Sequence, residues 1–503
     1  MTTDSHPTTG GGDLLELSRD HLLHRNTIGL GAALFMTFAL MAPAFSLFGT
    51  TGPMASQVGP PLPLVFIVAM LGILCTGNAL VQFTRRYPSS GSFVTFISKG
   101  LGGRVGLISG VGLIIGYTFC TAAVIALFGV WTQTVLQREL SLNVPWWVLG
   151  ILAGAGLTLL AARGLGISAR GAAVLFLFEV IIIIIVSFFT VFKGGFSGLS
   201  MTPFSPSAIT GGSGFGLAAV LSVYCFIGYE GAVSLGEETE NPRRNTPITV
   251  VVGIVALSAL FIFASYAVVV GFGVTHMAAL AADPASWDTL GRHYVGSWFG
   301  VFIDLAGITS TLGCGLAAIN GYPRIIYNVS RAGLFPRFLA RTGSRWRTPY
   351  WSLIIFGVVV TVIPLIGVAF GLTTAELFGV ISTYGALPVT IIYLIVNLGL
   401  IVYWFAHQRT GSFWTHLVIP IVGASIWVYP IYLALKPGEG PFHWTWLFVV
   451  VPVILGAILL VVVLRQGKNP SLLASVLAGE HEDVLVPNGV DDSALPSPKP
   501  EPV

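Results

Sequence analysis

Residues 226–247 have the sequence FIGYEGAVSLGEETENPRRNTP, in which a carboxylate, Glu230, lies within an apolar segment. A charged side chain at bilayer depth costs at least about 2.5–3.5 kcal/mol, so such residues usually face a cavity or a partner and mark a transport path. Glycines on both sides of Glu230 weaken the helix at this point. Backbone that leaves the helix at membrane depth is tolerated where it lines a cavity, as in the binding sites of secondary transporters. The stretch therefore predicts a helix that contributes to a binding site within a membrane.

The composition is that of a membrane protein. Of the 503 residues, 54% are hydrophobic and only 9% are charged, against about 25% charged residues in soluble domains. We therefore expect an all-α polytopic membrane protein, in which each span needs about 20 apolar residues. Twelve segments meet this requirement. They are residues 28–55, 62–83, 105–135, 144–162, 172–192, 214–235, 248–273, 298–327, 350–370, 375–405, 414–435 and 443–464.

The spans divide the chain into four regions. Residues 1–26 are predicted to be an N-terminal tail, and residues 27–405 a transport core that contains the first ten spans. Residues 406–465 contain the last two spans. Residues 466–503 are rich in Pro, Ser and acidic residues, a composition that buries too little apolar surface to order itself. We expect both tails to be cytoplasmic.

The distribution of basic residues predicts the orientation. Arg85 and Arg86 follow the second span, and Arg243 and Arg244 follow the sixth, whereas the intervening loops have few basic residues. By the positive-inside rule, both termini of this multi-pass protein of the cytoplasmic membrane face the cytoplasm. The net charge of +3 is spread over these loops and forms no basic patch, so we expect the lipid bilayer and not nucleic acid as a partner.

Helix breakers occur at matching places in two halves of the chain. The first span contains MAPAFSLFGTTGP at residues 41–53, with two prolines and two glycines, and the sixth contains Gly228 and Gly231. Interrupted spans at corresponding positions predict two inverted repeats of five spans each, followed by two additional spans. The alternative is that these residues are simply common in membrane helices.

The two predicted interruptions indicate where a substrate binds. An interrupted helix exposes amide groups at one half-helix and carbonyl groups at the other, which together suit a zwitterion or an amine. Aromatic residues there could cover the pocket or stack on a cation, although packing is the commoner role. The predicted substrate-binding residues are Ala44, Phe45, Ser46, Gly49, Tyr224, Cys225, Phe226 and Gly228.

Polar residues in the spans are candidates for ion coupling. Glu230 is predicted to carry a proton or to balance the charge of an amine, and its alternative role is a structural carboxylate bonded to backbone amides. Ser310 and Thr311 are a candidate sodium site because hard cations prefer oxygen ligands, although hydroxyl groups more often bond to their own helix. Glu179 and Asp304 also lie in spans, and each is expected to pair with a polar neighbour. The coupling partner is thus a proton or sodium.

A cluster of charges follows the sixth span. Glu237 and Glu238 precede a turn at Asn241-Pro242, and Arg243 and Arg244 follow it. Exposed pairs of this kind contribute about 0–1 kcal/mol each. We predict that the four residues form a cytoplasmic gate.

The sequence contains no pattern that indicates an enzyme. HExxH, GxSxG and GxxxxGK[ST] are all absent, so a metalloprotease, a serine hydrolase or an ATP-driven pump has no candidate site. The four cysteines lie in predicted spans without paired spacing, which predicts neither a disulfide nor a metal site. We expect no cofactor, no metal and no enzymatic activity.

Residues 226–247 also resemble the sixth-helix signature of the amino acid-polyamine-organocation (APC) superfamily. In that signature an aromatic-x-Gly-aromatic-Glu core leads into Glu-Glu-x-x-Asn-Pro-x-Arg-x-x-Pro. Residues 320–324, NGYPR, together with residues 330–336, SRAGLFP, are similar to the eighth helix of the family and its following loop. The resemblance implies the five-plus-five inverted repeat, alternating access, and uptake or exchange of amino acids or related amines. It also implies that Glu230 matches a glutamate linked to proton sensing in some members, and that Tyr224 or Phe226 covers the substrate.

Two departures limit what the resemblance transfers. Many members have Gly-Ser-Gly in the first-helix interruption, where this chain has Pro43-Ala44-Phe45-Ser46, so the usual carboxylate cradle does not carry over. A comparable proline occurs in some relatives that transport putrescine or other amines. Gly166 stands where some members have a lysine that replaces sodium, so the resemblance does not identify the coupling ion.

The sequence thus predicts a secondary active transporter that carries an amino acid or a related amine across the cytoplasmic membrane. Alternatives are a polyamine importer or exchanger that carries a putrescine-like substrate, a sensor that binds substrate without transporting it, and a channel. Short tails argue against a sensor, and two matched interruptions favour an occluded site over a continuous pore.

Overall fold

The computed structural model describes residues 29–87, 92–164, 169–210, 214–234, 239–331, 336–342, 348–407, 409, 411–436, 440–467 and 469–470. Every secondary-structure element within these residues is a helix. The main helices are α1 (Leu30–Met41), α2 (Pro43–Val58), α3 (Leu62–Arg86), α4 (Ser92–Leu101), α5 (Gly103–Leu140), α6 (Trp146–Ala162), α7 (Ala169–Phe192), α8 (Gly214–Tyr224), α9 (Gly231–Ser234), α10 (Pro242–Phe272), α11 (Met277–Ala282), α12 (Ser286–Tyr294), α13 (Gly300–Gly321), α14 (Pro323–Arg331), α15 (Tyr350–Ala369), α16 (Thr374–Ala406), α17 (Ile419–Leu435) and α18 (Leu447–Arg465).

Ten helical segments within the described residues are long and apolar enough to cross a membrane. The first of them is Leu30–Val58, which combines α1 and α2. Two shorter apolar helices, α6 and α8, lie where the fourth and sixth spans were predicted. The protein is therefore an all-helical multi-pass membrane protein.

Several boundaries differ from the sequence prediction. Helix α10 begins at Pro242, ahead of residue 248, because proline is well suited to the first helical position. Its first turns are polar, so hydropathy placed the start too late. Helices α4, α11 and α12 occupy segments that were predicted as loops. They are too short or too polar to meet the requirement of about 20 apolar residues for a span.

The interruption of the first span is confined to Ala42. This residue has φ 41° and ψ 73°, in the left-handed region, and Pro43 begins the next helix. Pro43 ends the preceding helix because it lacks an N–H and its ring disfavours the previous turn, whereas Pro53 lies within the continuous helix α2. The expectation that Gly49 belongs to the interruption was wrong, because Gly49 lies within the continuous helix α2. A Cβ at Gly49 would approach the Phe378 ring to 2.7 Å, so glycine is needed there for close packing.

Helix α2 lies at the centre of the bundle. Every residue from Pro43 to Gly52 is buried, and a helix that is buried on all faces belongs to the core. It packs against α8, α13 and α11, while α1 packs against α7. The interrupted first span thus lies next to the interrupted sixth span.

Candidate functional site

The sixth span is interrupted between α8 and α9, at residues 225–230. Gly228 has φ +116°, a conformation that residues with a Cβ rarely adopt. Its N–H donates a hydrogen bond to Oε2 of Glu230 at 3.0 Å. The backbone therefore turns at Gly228 and brings its own amide to the carboxylate.

Glu230 is 6% exposed and has a second partner on α5. The Tyr117 hydroxyl donates to Oε1 of Glu230 at 2.7 Å, and the Tyr117 ring stacks on Tyr322 with centroids 4.3 Å apart. The hydrogen bond from the Gly228 N–H fits the alternative role predicted for Glu230, that of a structural carboxylate bonded to backbone amides. Nothing in the sequence indicates the hydrogen bond from Tyr117, because Tyr117 is one of many aromatic residues in apolar spans.

Residues of two other spans hold the start of α2. The Ala44 N–H donates to Oε2 of Glu179 at 3.2 Å, and the Phe45 N–H donates to Oγ of Ser310 at 3.0 Å. Ser310 in turn donates to the same Glu179 oxygen at 2.7 Å. Glu179 was expected only to pair with a polar neighbour. The signal for a larger role is that it interrupts one of the most apolar segments of the chain.

Three aromatic rings from three helices meet beside this point. Phe45 and Tyr224 have centroids 5.7 Å apart, and Phe378 lies 5.8 Å from Phe45 and 5.6 Å from Tyr224. The Tyr224 hydroxyl donates to the carbonyl of Cys120 at 2.9 Å. Phe378 was not singled out from the sequence, because nothing local distinguishes it from other aromatic residues of the spans.

Two of the predicted substrate contacts have different surroundings. Phe226 packs against Phe261 of α10, with centroids 5.3 Å apart, and is fully buried. The Ser46 hydroxyl donates to the carbonyl of Met41 at 2.9 Å. Cys225 lies 3.4 Å from the Thr50 hydroxyl, which joins the two interrupted spans. Of the predicted set, Phe45 contacts Tyr224 and Ser46 contacts Cys225, whose thiol lies 3.7 Å from the Ser46 carbonyl.

The two predicted sodium ligands differ in their bonding. Ser310 bonds to Glu179 and Phe45, as described above. Thr311 donates to the carbonyls of Gly307 and Ile308 in its own helix, the commoner role of such hydroxyls. Within the described residues there is no group of three or more His, Cys, Asp or Glu placed to hold a metal ion.

The predicted gate is described only in part. Glu237 and Glu238 lie outside the described residues. Arg243 and Arg244 are exposed in the first turn of α10.

An ionic cluster ties α5, α12 and α13 together where α5 ends. Arg138 contacts Asp288 and Asp304, each at 2.5 Å. Arg292 contacts Asp288 at 2.8 Å and Glu139 at 2.5 Å. Asp288 and Asp304 are 2% and 3% exposed, and burial raises the pKa of the Asp288 carboxyl above its ordinary value although both arginines oppose the rise. The two buried carboxylates therefore depend on the arginines.

Helix α12 also contacts the core through Trp287. This ring stacks on Phe48 of α2 with centroids 5.2 Å apart, and its N–H lies 3.3 Å from the Thr51 hydroxyl. Phe48 also stacks on Trp131 of α5, with centroids 5.2 Å apart. The ionic cluster and these aromatic contacts together hold α12 against α2.

A bundle of apolar helices in which each of two neighbouring interrupted spans is bonded to a buried glutamate is the architecture of a membrane transporter. Residues 28–471 match the sequence profile described as "Amino acid permease", and the chain belongs to this family.

Three relatives whose names state a function are 25–27% identical to the chain. The chain is 27% identical over 444 residues to the low-affinity putrescine importer PlaP of Escherichia coli (strain K12), which covers 84% of this chain and 91% of that protein. It is 25% identical over 429 residues to a methylthioribose transporter of Bacillus subtilis (strain 168), with 77% and 89% covered. It is 25% identical over 337 residues to the branched-chain amino acid permease BcaP of the same organism, with 62% and 68% covered. The predicted family and the transporter role are thus confirmed.

Proposed function

We propose that the protein is a secondary active transporter that carries an amino acid or a related amine across the cytoplasmic membrane by alternating access. The observation that carries the proposal is the meeting of two interrupted helices at buried acidic residues. The first interruption is held by Glu179 and the second contains Glu230. Half-helix ends at membrane depth are the recurrent substrate and ion sites of secondary transporters.

The proposed architecture has twelve spans, as two inverted repeats of five within residues 27–405 and two spans within residues 406–465. The ten long apolar segments together with α6 and α8 account for all twelve predicted positions. The interruptions in the first and sixth spans support the repeat, because they open the two proposed halves.

The proposed orientation places both termini in the cytoplasm. The exposed Arg243 and Arg244 then lie on the cytoplasmic side, and with Glu237 and Glu238 they are the proposed inner gate. In this orientation α12 and its ionic cluster lie on the outer side. The excess of basic residues in alternate loops supports this assignment.

Alternating access is supported by the closure of the site in this structure. Glu179, Tyr224 and Glu230 are each at most 6% exposed. A cavity of about 670 Å³ near Ala55 and a cavity of about 350 Å³ near Arg85 lie at opposite ends of the bundle, and neither is lined by these three residues. A channel requires a continuous path instead.

The second candidate is a polyamine importer with a putrescine-like substrate. It is favoured by two buried carboxylates at the site, which suit ammonium groups, and by the similarity to the putrescine importer PlaP. The coupling ion in either case is proposed to be a proton or sodium, with Glu230 as the proton-coupling residue and Ser310 as an oxygen near the first interruption.

Reconstituted vesicles test the transporter proposal. We expect saturable uptake of a labelled amino acid or amine, and accelerated uptake when unlabelled ligand is present inside, because an occluded site exchanges one ligand per cycle. Empty vesicles provide the control. Flux that neither saturates nor shows counterflow with any ligand of these classes would contradict alternating access.

Glu230→Gln tests the coupling role. The substitution keeps the shape: the amide oxygen can accept from the Gly228 N–H, and the NH2 group can donate to the Tyr117 hydroxyl oxygen. It removes the titratable group. We expect uptake that no longer changes between pH 5 and 8, measured as initial rates in vesicles of equal protein content. Glu376→Gln is the matched control, because Glu376 is exposed and glutamine also supports its helix cap. An unchanged pH profile in the Glu230 variant would reject the role.

A further inference from the structure

We propose that Glu179, together with the Ser310 hydroxyl bonded to it, occupies the backbone donors at the start of α2 that would otherwise bind a substrate carboxylate, and that the protein therefore carries amines that lack a carboxylate. This inference rests on the proposed transport function and narrows its substrate class. It would make Glu179 a specificity-determining residue.

The first turn of α2 has no backbone donor left for a substrate. Pro43 has no N–H. The Ala44 N–H donates to Glu179, the Phe45 N–H donates to Ser310, and the Ser46 N–H donates to the carbonyl of Ala42 at 3.0 Å. A helix N-terminus attracts anions through these free donors and its positive dipole end. Here the side chain of Glu179 takes the place of that anion.

The donors of the second interruption are engaged as well. The Gly228 N–H donates to Glu230, and the N–H groups of Cys225 and Phe226 donate to carbonyls of α8 at 3.1 Å and 2.9 Å. The carbonyls of Cys225 and Ile227 accept no backbone hydrogen bond within the described residues. The site thus retains acceptors and has few donors, which suits an ammonium group.

The charges at the site agree with this arrangement. Glu179 is 4% exposed, and no salt bridge in the described part of the chain involves Glu179 or Glu230. The buried Asp288 and Asp304, by contrast, have two arginines. Buried carboxylates without a cationic partner are costly, and a cationic ligand would supply the missing charge.

One oxygen of Glu179 is the atom that we expect to contact the ammonium group of the substrate. Its Oε2 accepts from Ala44 and Ser310, whereas its Oε1 accepts no hydrogen bond from the described residues. A carboxylate oxygen that has no hydrogen-bond donor in the protein can accept a hydrogen bond from an ammonium group. A substrate carboxylate would instead be repelled by Glu179. The N–H groups of Ala44 and Phe45 that could bind it already donate to Glu179 and Ser310. An α-amino acid is therefore disfavoured relative to the amine that has the same side chain.

Ligand pairs that differ only by one carboxylate test the inference. Putrescine is paired with L-ornithine and cadaverine with L-lysine, and each is used as a competitor and as a counterflow substrate in vesicles that contain the full chain. For the unaltered protein we expect each diamine to bind at least about tenfold more tightly than its amino acid, since an unpaired buried charge costs at least this factor. Equal affinities would overturn the substrate class and leave the transport proposal standing.

Two variants separate the role of Glu179 from a structural one. Glu179→Ala frees the Ala44 N–H and removes the repulsion, so we expect the preference for putrescine over L-ornithine to fall at least about tenfold. Glu179→Gln keeps the shape without the charge, so we expect weaker putrescine binding. Ser187→Ala on the same helix is the control, because Ser187 is buried and its hydroxyl has no hydrogen-bond partner within the described residues. We expect it to retain the original preference.

The outcomes are distinguishable. If Glu179→Ala does not fold, as judged by gel filtration and melting temperature, the glutamine variant decides the question. A glutamine variant that binds putrescine as tightly as the unaltered protein overturns the role of Glu179. Absence of counterflow with all four ligands, together with every other amino acid and amine tried, overturns the proposed transport function instead.

Discussion

Arg138→Ala is expected to destabilise the protein by about 3 kcal/mol. Arg138 contacts Asp288 and Asp304, which are almost completely buried. Removal of one partner from a buried ion pair typically costs about 3–5 kcal/mol because it leaves an uncompensated charge. We expect the lower end of this range, since the Arg138 side chain is 27% exposed and water screens part of the loss. The measurement is the apparent melting temperature in detergent, with urea denaturation as a second estimate.

Two further variants identify the cause of this loss. Lys193→Ala removes an exposed basic residue and is expected to leave stability unchanged. In the Arg138→Ala variant, Asp288 keeps Arg292 at 2.8 Å, whereas Asp304 is left with Arg292 at 3.8 Å. Asp304→Asn in this background removes the charge that lost its close partner and should recover part of the stability. A double variant no more stable than Arg138→Ala would show that lost packing, and not charge, is responsible.

Gly228→Ala is expected to reduce the transport rate at least about tenfold in a protein that still folds. Gly228 has φ +116°, and a Cβ there would lie 3.0 Å from the backbone of Leu40 in α1. Strain at such a position costs about 1–3 kcal/mol. The substitution would also push apart the two interrupted spans and displace the amide that bonds to Glu230. The measurement is the initial rate of counterflow at saturating ligand, normalised to the amount of folded protein.

Gly102→Ala is the matched control for backbone strain. Gly102 has φ +91°, but a Cβ there would have no neighbour within 4 Å. We expect it to lower the melting temperature through backbone strain alone, by no more than Gly228→Ala does, and to leave transport intact. If Gly228→Ala transports at the unaltered rate, the geometry of the second interruption does not matter for the cycle.

The sequence indicated where the two interruptions lie, but it did not indicate most of the contacts made there. Glu230 was identified because a charge within an apolar span is costly wherever it lies. Gly49 was misassigned because glycine permits an interruption but does not require one, and whether a helix breaks there depends on its neighbours. Phe378 was missed because its contact with Phe45 joins residues far apart in the chain.

The amino acids alone determine that this is a membrane protein and in which order its spans occur. They also place Pro43 within the first span and Glu230 within the sixth. The reason is that each span must satisfy its own backbone groups and bury its own apolar surface in lipid, so its signal is local. The contact of Glu179 with the Ala44 N–H depends on the packing of α7 against α2, across 135 positions of the chain. The same is true of the two arginines that hold Asp288 and Asp304. Such pairings arise only when helices pack, because their free energy depends on the distance between the groups and on the exclusion of water. Neither quantity can be inferred from the sequence of a single segment.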